Sequence, residues 1–364
     1  MSIRGSEYIK RITACMRQRC IITLLPRQSP LINQIARFKS NFVKPLIHPH
    51  IIELAFSHEM SSHDSSNQSA SSPVILDGNA TSLTIRNELK EKVSHLRNQF
   101  SRAPGLAVIL VGDRPDSATY VRMKKKACNE VGIVDFSYNL PVTVSHVELL
   151  NLVKQLNNDN QVDGILIQLP LPPQINESEI LNEISASKDV DGLHPINIGS
   201  MILKGYKPFS YPCTPYGCIE IMKRYNIPMQ GKNAVVLGRS NIVGIPISQL
   251  LMQNNATVTV CHSHTQNIQE IVSRADIVVA AIGKPLFVKG NWLKPGAVVI
   301  DVGINSIPDA TKKSGSRLVG DVDYDDVISS GNASAITPVP GGIGPMTIAM
   351  LLQNTVNAFE RHMK

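Results

Sequence analysis

From Pro73 onward, apolar residues recur at helical or strand spacing, with polar residues between them. The stretch "TSLTIRNELKEKVSHLRNQF" sets Leu83, Ile85, Leu89, Val93 and Leu96 mostly on one helical face, which predicts a helix capped by Thr81 or Ser82. "GLAVILVG" reads as a buried strand, and a second helix is expected from about Ser117 to Val131, ended by Gly132. "VDGILIQLPLP" is another buried strand, stopped by prolines. Strand, helix, strand in that order predicts a parallel α/β layer.

"YPCTPYGC", Tyr211 to Cys218, breaks the pattern with prolines just before the helical "GCIEIMKRYNI", and marks a crossing between two domains. The pattern then restarts. "NAVVLG", "ATVTVCHS", "ADIVVAAIG" and "GAVVIDVGI" are short β-branched runs joined by helical connectors, the profile of a doubly wound dinucleotide-type sheet. A Gly/Pro loop, "ITPVPGGIGPMT", feeds a last apolar helix. The expected fold class is therefore α/β, in two domains.

Composition alters this picture at one end only. The formal charge of +7 invites a nucleic-acid reading, but residues 1–72 hold nine Lys/Arg against four acids, leaving 27 against 25 in residues 73–364. No basic stripe marks the rest, so no nucleic-acid partner is expected. Residues 1–50 contain one acid, and "MRQRCIITLL" interleaves arginine with apolar residues; the Ser-rich "MSSHDSSNQSASS" follows as a spacer. Residues 1–72 are read as a transit peptide with a disordered spacer, mitochondrial (matrix), with the plastid stroma as alternative. A basic tail that stays on the protein is the other reading. No apolar run approaches the ~18–20 residues of a membrane span, so no membrane partner is expected. The six cysteines include Cys213 and Cys218, with no second pair or His cluster to complete a metal site.

The restart strand leads into "GRSNIVGIP". Gly238 allows a tight turn, Gly244 close packing of the next helix, and Pro246 a first helical turn whose free amides suit a pyrophosphate. Arg239 at this mouth, with Ser263 at the end of the following strand, suits the 2′-phosphate of NADP, whereas an NAD site places an acid there. A strand-turn-helix with a surface arginine fits the same residues.

In "SATYVRMKKKACNEVGI" the helical period puts Lys124 on the face of Tyr120, while Lys125 and Lys126 swing away as solvated charges. A lysine beside an aromatic ring in a partly desolvated cleft can trade protons; a plain surface lysine is the alternative. Y-x-x-x-K also occurs in short-chain dehydrogenases, but those place the nucleotide motif before it, and here Tyr120 precedes Gly238. Gln168 ends an apolar strand and needs a polar partner, which a lysine or the core itself would supply. In "KDVDG", either Asp191 meets an amidine-like ring edge or Asp189 and Asp191 cap a turn. "PGGIGPMT" offers close backbone access to a ligand, or is only a tight loop.

Together with "KDVDGLHPINIG", "PCTPYGC", "GKPLFVKGNWLKPGAVVIDVGIN", "GDVDY" and "TPVPGGIGPMT", these segments closely resemble the bifunctional methylenetetrahydrofolate dehydrogenase/methenyltetrahydrofolate cyclohydrolase family, in its organellar form, over residues 73–364. The resemblance implies an N-terminal α/β catalytic domain completed by the C-terminal helix, residues 73–212 and 335–364, and a Rossmann-like NAD(P)-binding domain, residues 213–334. It implies oxidation of 5,10-methylenetetrahydrofolate to the methenyl cation with NADP rather than NAD, then hydrolysis to 10-formyltetrahydrofolate. By position, Lys124 serves proton transfer, Gln168 tunes it, Tyr120 stacks on the pterin and Asp191 anchors its amino edge. Pro340, Gly341, Gly342 and Gly344 close on folate; Gly238, Arg239, Ser240 and Ser263 bind NADP, and Ile304 lies against the cofactor. No metal is implied, and a homodimer is expected. Tyr216 stands where lysine is frequent, and His264 where lysine or arginine is often found, which weakens the positive field near a 2′-phosphate. A generic amino- or hydroxy-acid dehydrogenase and a folate-binding relative without catalysis are the competing readings.

Overall fold

The computed structural model describes residues 72–312 and 315–364. The leader read as a transit peptide, with Cys15 and Cys20, lies outside the described residues.

Two parallel sheets organise the chain. The first half runs β1 (Val74–Ile75), α1 (Gly78–Phe100), β2 (Gly105–Val111), α2 (Pro115–Val131), β3 (Val134–Leu140), α3 (His146–Asn158), β4 (Gly164–Ile167), α4 (Glu177–Glu183), α5 (Pro195–Ile202) and α6 (Cys213–Arg224). The second continues with β5 (Asn233–Leu237), α7 (Gly244–Gln253), β6 (Thr257–Cys261), α8 (Ile268–Val272), β7 (Ile277–Ala280), β8 (Ala297–Asp301), β9 (Asn305–Pro308), β10 (Ser316–Val319), α9 (Tyr324–Ser330), β11 (Ala333–Ile336) and α10 (Ile343–His362). The strands pair as β3-β2-β4 and as β1-β11-β8-β7-β5-β6, with β9 and β10 forming a small antiparallel hairpin. Every residue of β2 is buried, as its unbroken apolar run predicts.

The four restart strands are β5 to β8, as expected, but the sheet continues to β11 and then to β1. Val74 pairs with Ala335, so the first described strand joins the sheet of the distant second half. Two residues carry no readable period. Between β7 and β8 the connector holds a short 3-10 turn, Gly290–Trp292, instead of an α-helix.

Local chemistry sets the helix ends. Helix α1 begins a turn earlier than expected, because Asp77 accepts the N–H of Ala80 at 3.0 Å. Thr81 and Ser82 lie inside the helix, their hydroxyls bonded back to the carbonyls of Asp77 and Asn79. A glycine opens the helix because a Cβ at position 78 would collide with the Gly342 carbonyl. Helix α2 ends at Gly132, φ 89°, whose N–H closes on the Cys128 carbonyl.

One apolar core runs from α1 and β2 through α6 and α10 to the near faces of β5, β7 and β8. Helix α10 packs against both α1 and α6. Its last turn is clasped by fully buried Asp163, which accepts two bonds from Arg102 (2.9 and 2.8 Å), one from the Gly105 N–H (2.8 Å), and meets His362 Nδ1 at 3.0 Å. The chain terminus thereby holds its N-terminal half in place. Among the described residues, no helix is long and apolar enough to cross a membrane.

Candidate active site

Helix α2 presents Tyr120 and Lys124 one turn apart toward a cleft beside the C-terminal ends of β4 and β8. Lys124 Nζ donates to Gln168 Oε1 at 3.0 Å. Gln168 follows β4 directly, and its Nε2 donates to the Leu169 carbonyl at 3.0 Å, which turns the amide oxygen toward the lysine. The neighbouring lysines are engaged elsewhere, Lys125 with Asp135 at 3.1 Å and Lys126 with Glu130 at 3.8 Å. The helical period separates the three correctly.

Tyr120, Lys124, Gln168, Asp191, Ile304 and Gly344 line one open cleft of about 400 Å³, the size of a small-molecule site. It runs into a second chamber walled by Pro340, Gly341 and Gly342. Tyr120, Met123, Ile242, Ile304 and Leu318 all expose apolar surface around these two chambers, an arrangement suited to a flat ring system.

The two acids of "KDVDG" separate cleanly. Asp189 is buried and accepts from Gly192 N–H (3.0 Å), His194 N–H (2.8 Å) and Asn197 Nδ2 (2.8 Å), so it shapes the turn, and burial pushes its carboxyl up. Asp191 faces the cleft. The Val190 carbonyl just before it accepts from buried Asn354 of α10 (2.9 Å), which also donates to the Tyr211 carbonyl (2.8 Å). Gly341 has φ +104°, and the Asn79 N–H donates to its carbonyl at 3.1 Å, fixing the loop to the start of α1.

Gly238, Arg239, Ser240 and Ser263 line a separate depression with His262, Ile282 and Lys284, at the C-terminal ends of β5, β6 and β7. Here the strand order reverses, with β6 on one side of β5 and β7 on the other, the position where open α/β sheets bind nucleotides. The residues fit a dinucleotide. Gly238 has φ +118°, and a Cβ there would collide with the Ala281 carbonyl, so the backbone floor stays open. Gly244 proves to close the turn on itself, since a Cβ would strike the Gly238 carbonyl. The expected free amides at the start of α7 are taken up within the loop: Ser240 Oγ accepts from Val243 (3.2 Å) and Gly244 (3.3 Å), and the Ser240 carbonyl from Ile245 (3.0 Å). Arg239, Ser263 and His264 are exposed.

The sequence reading passed over Asp301, Asp321 and Asn354. The signal was available for Asp301, because an acid ending the apolar run "GAVVID" needs partners by the argument applied to Gln168. Tyr216 packs half-buried on Tyr211, ring centroids 5.2 Å apart, and burial raises its phenol. Cys213 and Cys218 are buried free thiols, both pushed up by burial. Among the described residues, no group of three or more His, Cys, Asp or Glu is placed to hold a metal ion.

Residues 76–191 match the model of the tetrahydrofolate dehydrogenase/cyclohydrolase catalytic domain, and residues 212–363 that of the same family's NAD(P)-binding domain. The chain belongs to the tetrahydrofolate dehydrogenase/cyclohydrolase family. It is 54% identical to bifunctional protein FolD 2 of Arabidopsis thaliana, over 79% of this chain and 95% of the relative. It is 52% identical to that organism's chloroplastic FolD 4 (84% of both chains) and 49% identical to its mitochondrial FolD 1 (79% and 81%). The Trypanosoma brucei methylenetetrahydrofolate dehydrogenase-cyclohydrolase, solved with NADP and an inhibitor, superposes with a TM-score of 0.77 at 43% identity, over 81% of this chain and 99% of that one. A tetrahydrofolate dehydrogenase/cyclohydrolase fold is thus carried over the whole described region.

Proposed function

We propose that the protein oxidises 5,10-methylenetetrahydrofolate to the 5,10-methenyl cation with NADP and hydrolyses that cation to 10-formyltetrahydrofolate. The observation that carries the reading is the 3.0 Å bond from Lys124 to Gln168 inside a cleft lined also by Tyr120, Asp191 and Ile304. Residues 73–212 and 335–364 are assigned to the folate-binding domain, with β1 and the end of β11 lent to the other sheet, and 213–334 to the NAD(P)-binding domain.

NADP, when bound, takes hydrogen with its electron pair from the methylene carbon, and the lone pairs of N5 and N10 carry the positive charge left behind. The chain's part in that step is alignment: Tyr120 stacks on the pterin, Asp191 accepts from its amino edge, and Ile304 lies against the cofactor. Arg239 and Ser263 meet the 2′-phosphate. Ser240 already accepts two backbone bonds, so its O–H is left to donate to the cofactor.

Hydrolysis needs more. Water adds to the methenyl carbon and loses one proton, then its second as the carbonyl forms and the bond to N5 breaks; N5 takes up one proton, so one proton is released overall. Lys124 is assigned to accept a proton from the adding water and give one to the departing N5, the other proton leaving to solvent, and Gln168 to hold its amine on the reacting carbon.

An organellar location, matrix first and stroma as alternative, rests on the basic, acid-poor residues 1–50 and on the presence of both compartments among the relatives. A homodimer is proposed on family resemblance. The purified protein, given methylenetetrahydrofolate and either nicotinamide cofactor, should show methenyl absorbance that rises and then decays, faster with NADP. No rise with either cofactor would contradict the reading.

A further inference from the structure

Two acids at the end of the six-stranded sheet have no part in the chemistry above. Asp301 closes β8 and Asp321 follows β10; they are 3% and 0% exposed. Asp301 Oδ1 accepts from the N–H of Gly303 (3.0 Å) and of Asp321 (2.9 Å), and Oδ2 from Val322 N–H (3.0 Å). Asp321 Oδ2 accepts from the N–H of Ile282 (2.7 Å) and Gly283 (2.9 Å), and Oδ1 from Asn305 Nδ2 (2.9 Å). The backbone donors sit on three separate strand exits, those of β7, β8 and β10, and the side-chain donor Asn305 opens β9.

These exits wall different parts of the molecule. Ile282 lines the nucleotide depression, while Gly303 and Ile304 line the chambers of the cleft. The packing leaves no slack: a Cβ at Gly303 would strike the Asp321 carboxyl, and one at Gly320 the Asp301 carboxyl. Burying both acids is costly. Desolvation pushes Asp301 up to about 7 even though three N–H groups pull it back, and Asp321 is the titratable group that faces it.

We infer that Asp301 and Asp321 are positioning residues for the oxidation step, fixing the Val302–Ile304 segment relative to the β7 exit, and are dispensable for hydrolysis at Lys124. The inference rests on the reading of Ile304 as the cofactor-facing residue. An acceptor-only carboxylate can take all these donors at once; an asparagine would turn an NH2 against backbone N–H groups.

The test uses Asp301→Asn, Asp321→Asn and Asn305→Ala, the last removing one bond at a half-buried position. Oxidation kcat should fall about 10–100-fold in the two aspartate variants and a few-fold in Asn305→Ala. Hydrolysis of preformed methenyltetrahydrofolate by cofactor-free enzyme should stay within about two-fold. Without any ligand, amide hydrogen exchange at Ile282, Gly303 and Val322 should quicken while that of α2 does not. Wild-type oxidation kcat should also decline as the pH falls below about 7, a limb absent in Asp301→Asn. Equal loss of both activities would reduce the pair to a structural role, and unchanged oxidation with unchanged exchange would overturn the inference outright. If the aspartate variants fail to fold, the ratio of activities in Asn305→Ala decides. A wild-type enzyme that oxidises no methylenetetrahydrofolate would instead sink the parent reading, and the exchange measurement would still judge the pair.

Discussion

The cleft and the nucleotide mouth are built on opposite plans. In the cleft, Lys124 is tied to Gln168, Gln168 to the Leu169 carbonyl, and the turn carrying Asp191 to Asn354 behind it. At the mouth, Arg239, Ser263 and Lys284 stand exposed above the close-packed backbone turn between Gly238 and Gly244. On the proposed function, the difference follows from the task assigned to each. A group that must meet charge as it develops gains from being held in advance, since no reorganisation is then needed. A permanent phosphate can be met by a guanidinium that is always charged and whose planar fork is already set, so fewer supports around it are needed.

Three experiments probe this contrast. The largest effect is expected from Gln168→Leu, which frees the Lys124 amine; cyclohydrolase activity should drop about 100-fold with oxidation retained. Comparable loss of both activities in stopped-flow assays would show that Gln168 supports the cleft as a whole. Next, Arg239→Ala should weaken NADP about 10–100-fold and leave NAD nearly unchanged, the worth of one charge-assisted phosphate contact. Added salt should mimic it in part, because the mouth is open to solvent; titration calorimetry at two ionic strengths measures both. The smallest effect concerns stability. The folded-state value of Asp301 is raised to about 7 from an ordinary 3.8, so the folded protein holds a proton that the unfolded chain has released. Its contribution to stability is therefore full below about pH 4 and is lost as pH rises toward 7. The thermal midpoint of Asp301→Asn should fall less over that window than that of the wild type, and parallel curves would discount the shift.

Much of this was legible in the residues. The 3.6-residue period separates Lys124 from Lys125 and Lys126, the apolar runs mark β2, β4 and β5 to β8, and Gly132 and Gly238 mark turns that only glycine makes comfortably. What escaped was non-local. Asp77 caps α1 through a local bond, but the glycine that follows it is needed because Gly342, far along the chain, packs against position 78. Strand β1 owes its existence to β11, about 260 residues later in the chain. The partners of the Asp301 carboxylate are backbone amides of two loops, and a backbone amide has no letter of its own. Asp189 and Asp191 look alike in "KDVDG", and only the fold assigns one to the turn and the other to the cleft.

The assignment of the proton relay to the Lys124 amine is tested by Lys124→Met, with both activities measured on one preparation of the full chain. Hydrolysis of methenyltetrahydrofolate should be abolished, while folate binding persists and NADP-dependent oxidation continues. A variant that hydrolyses at the wild-type rate would contradict the assignment of the proton relay to that side chain.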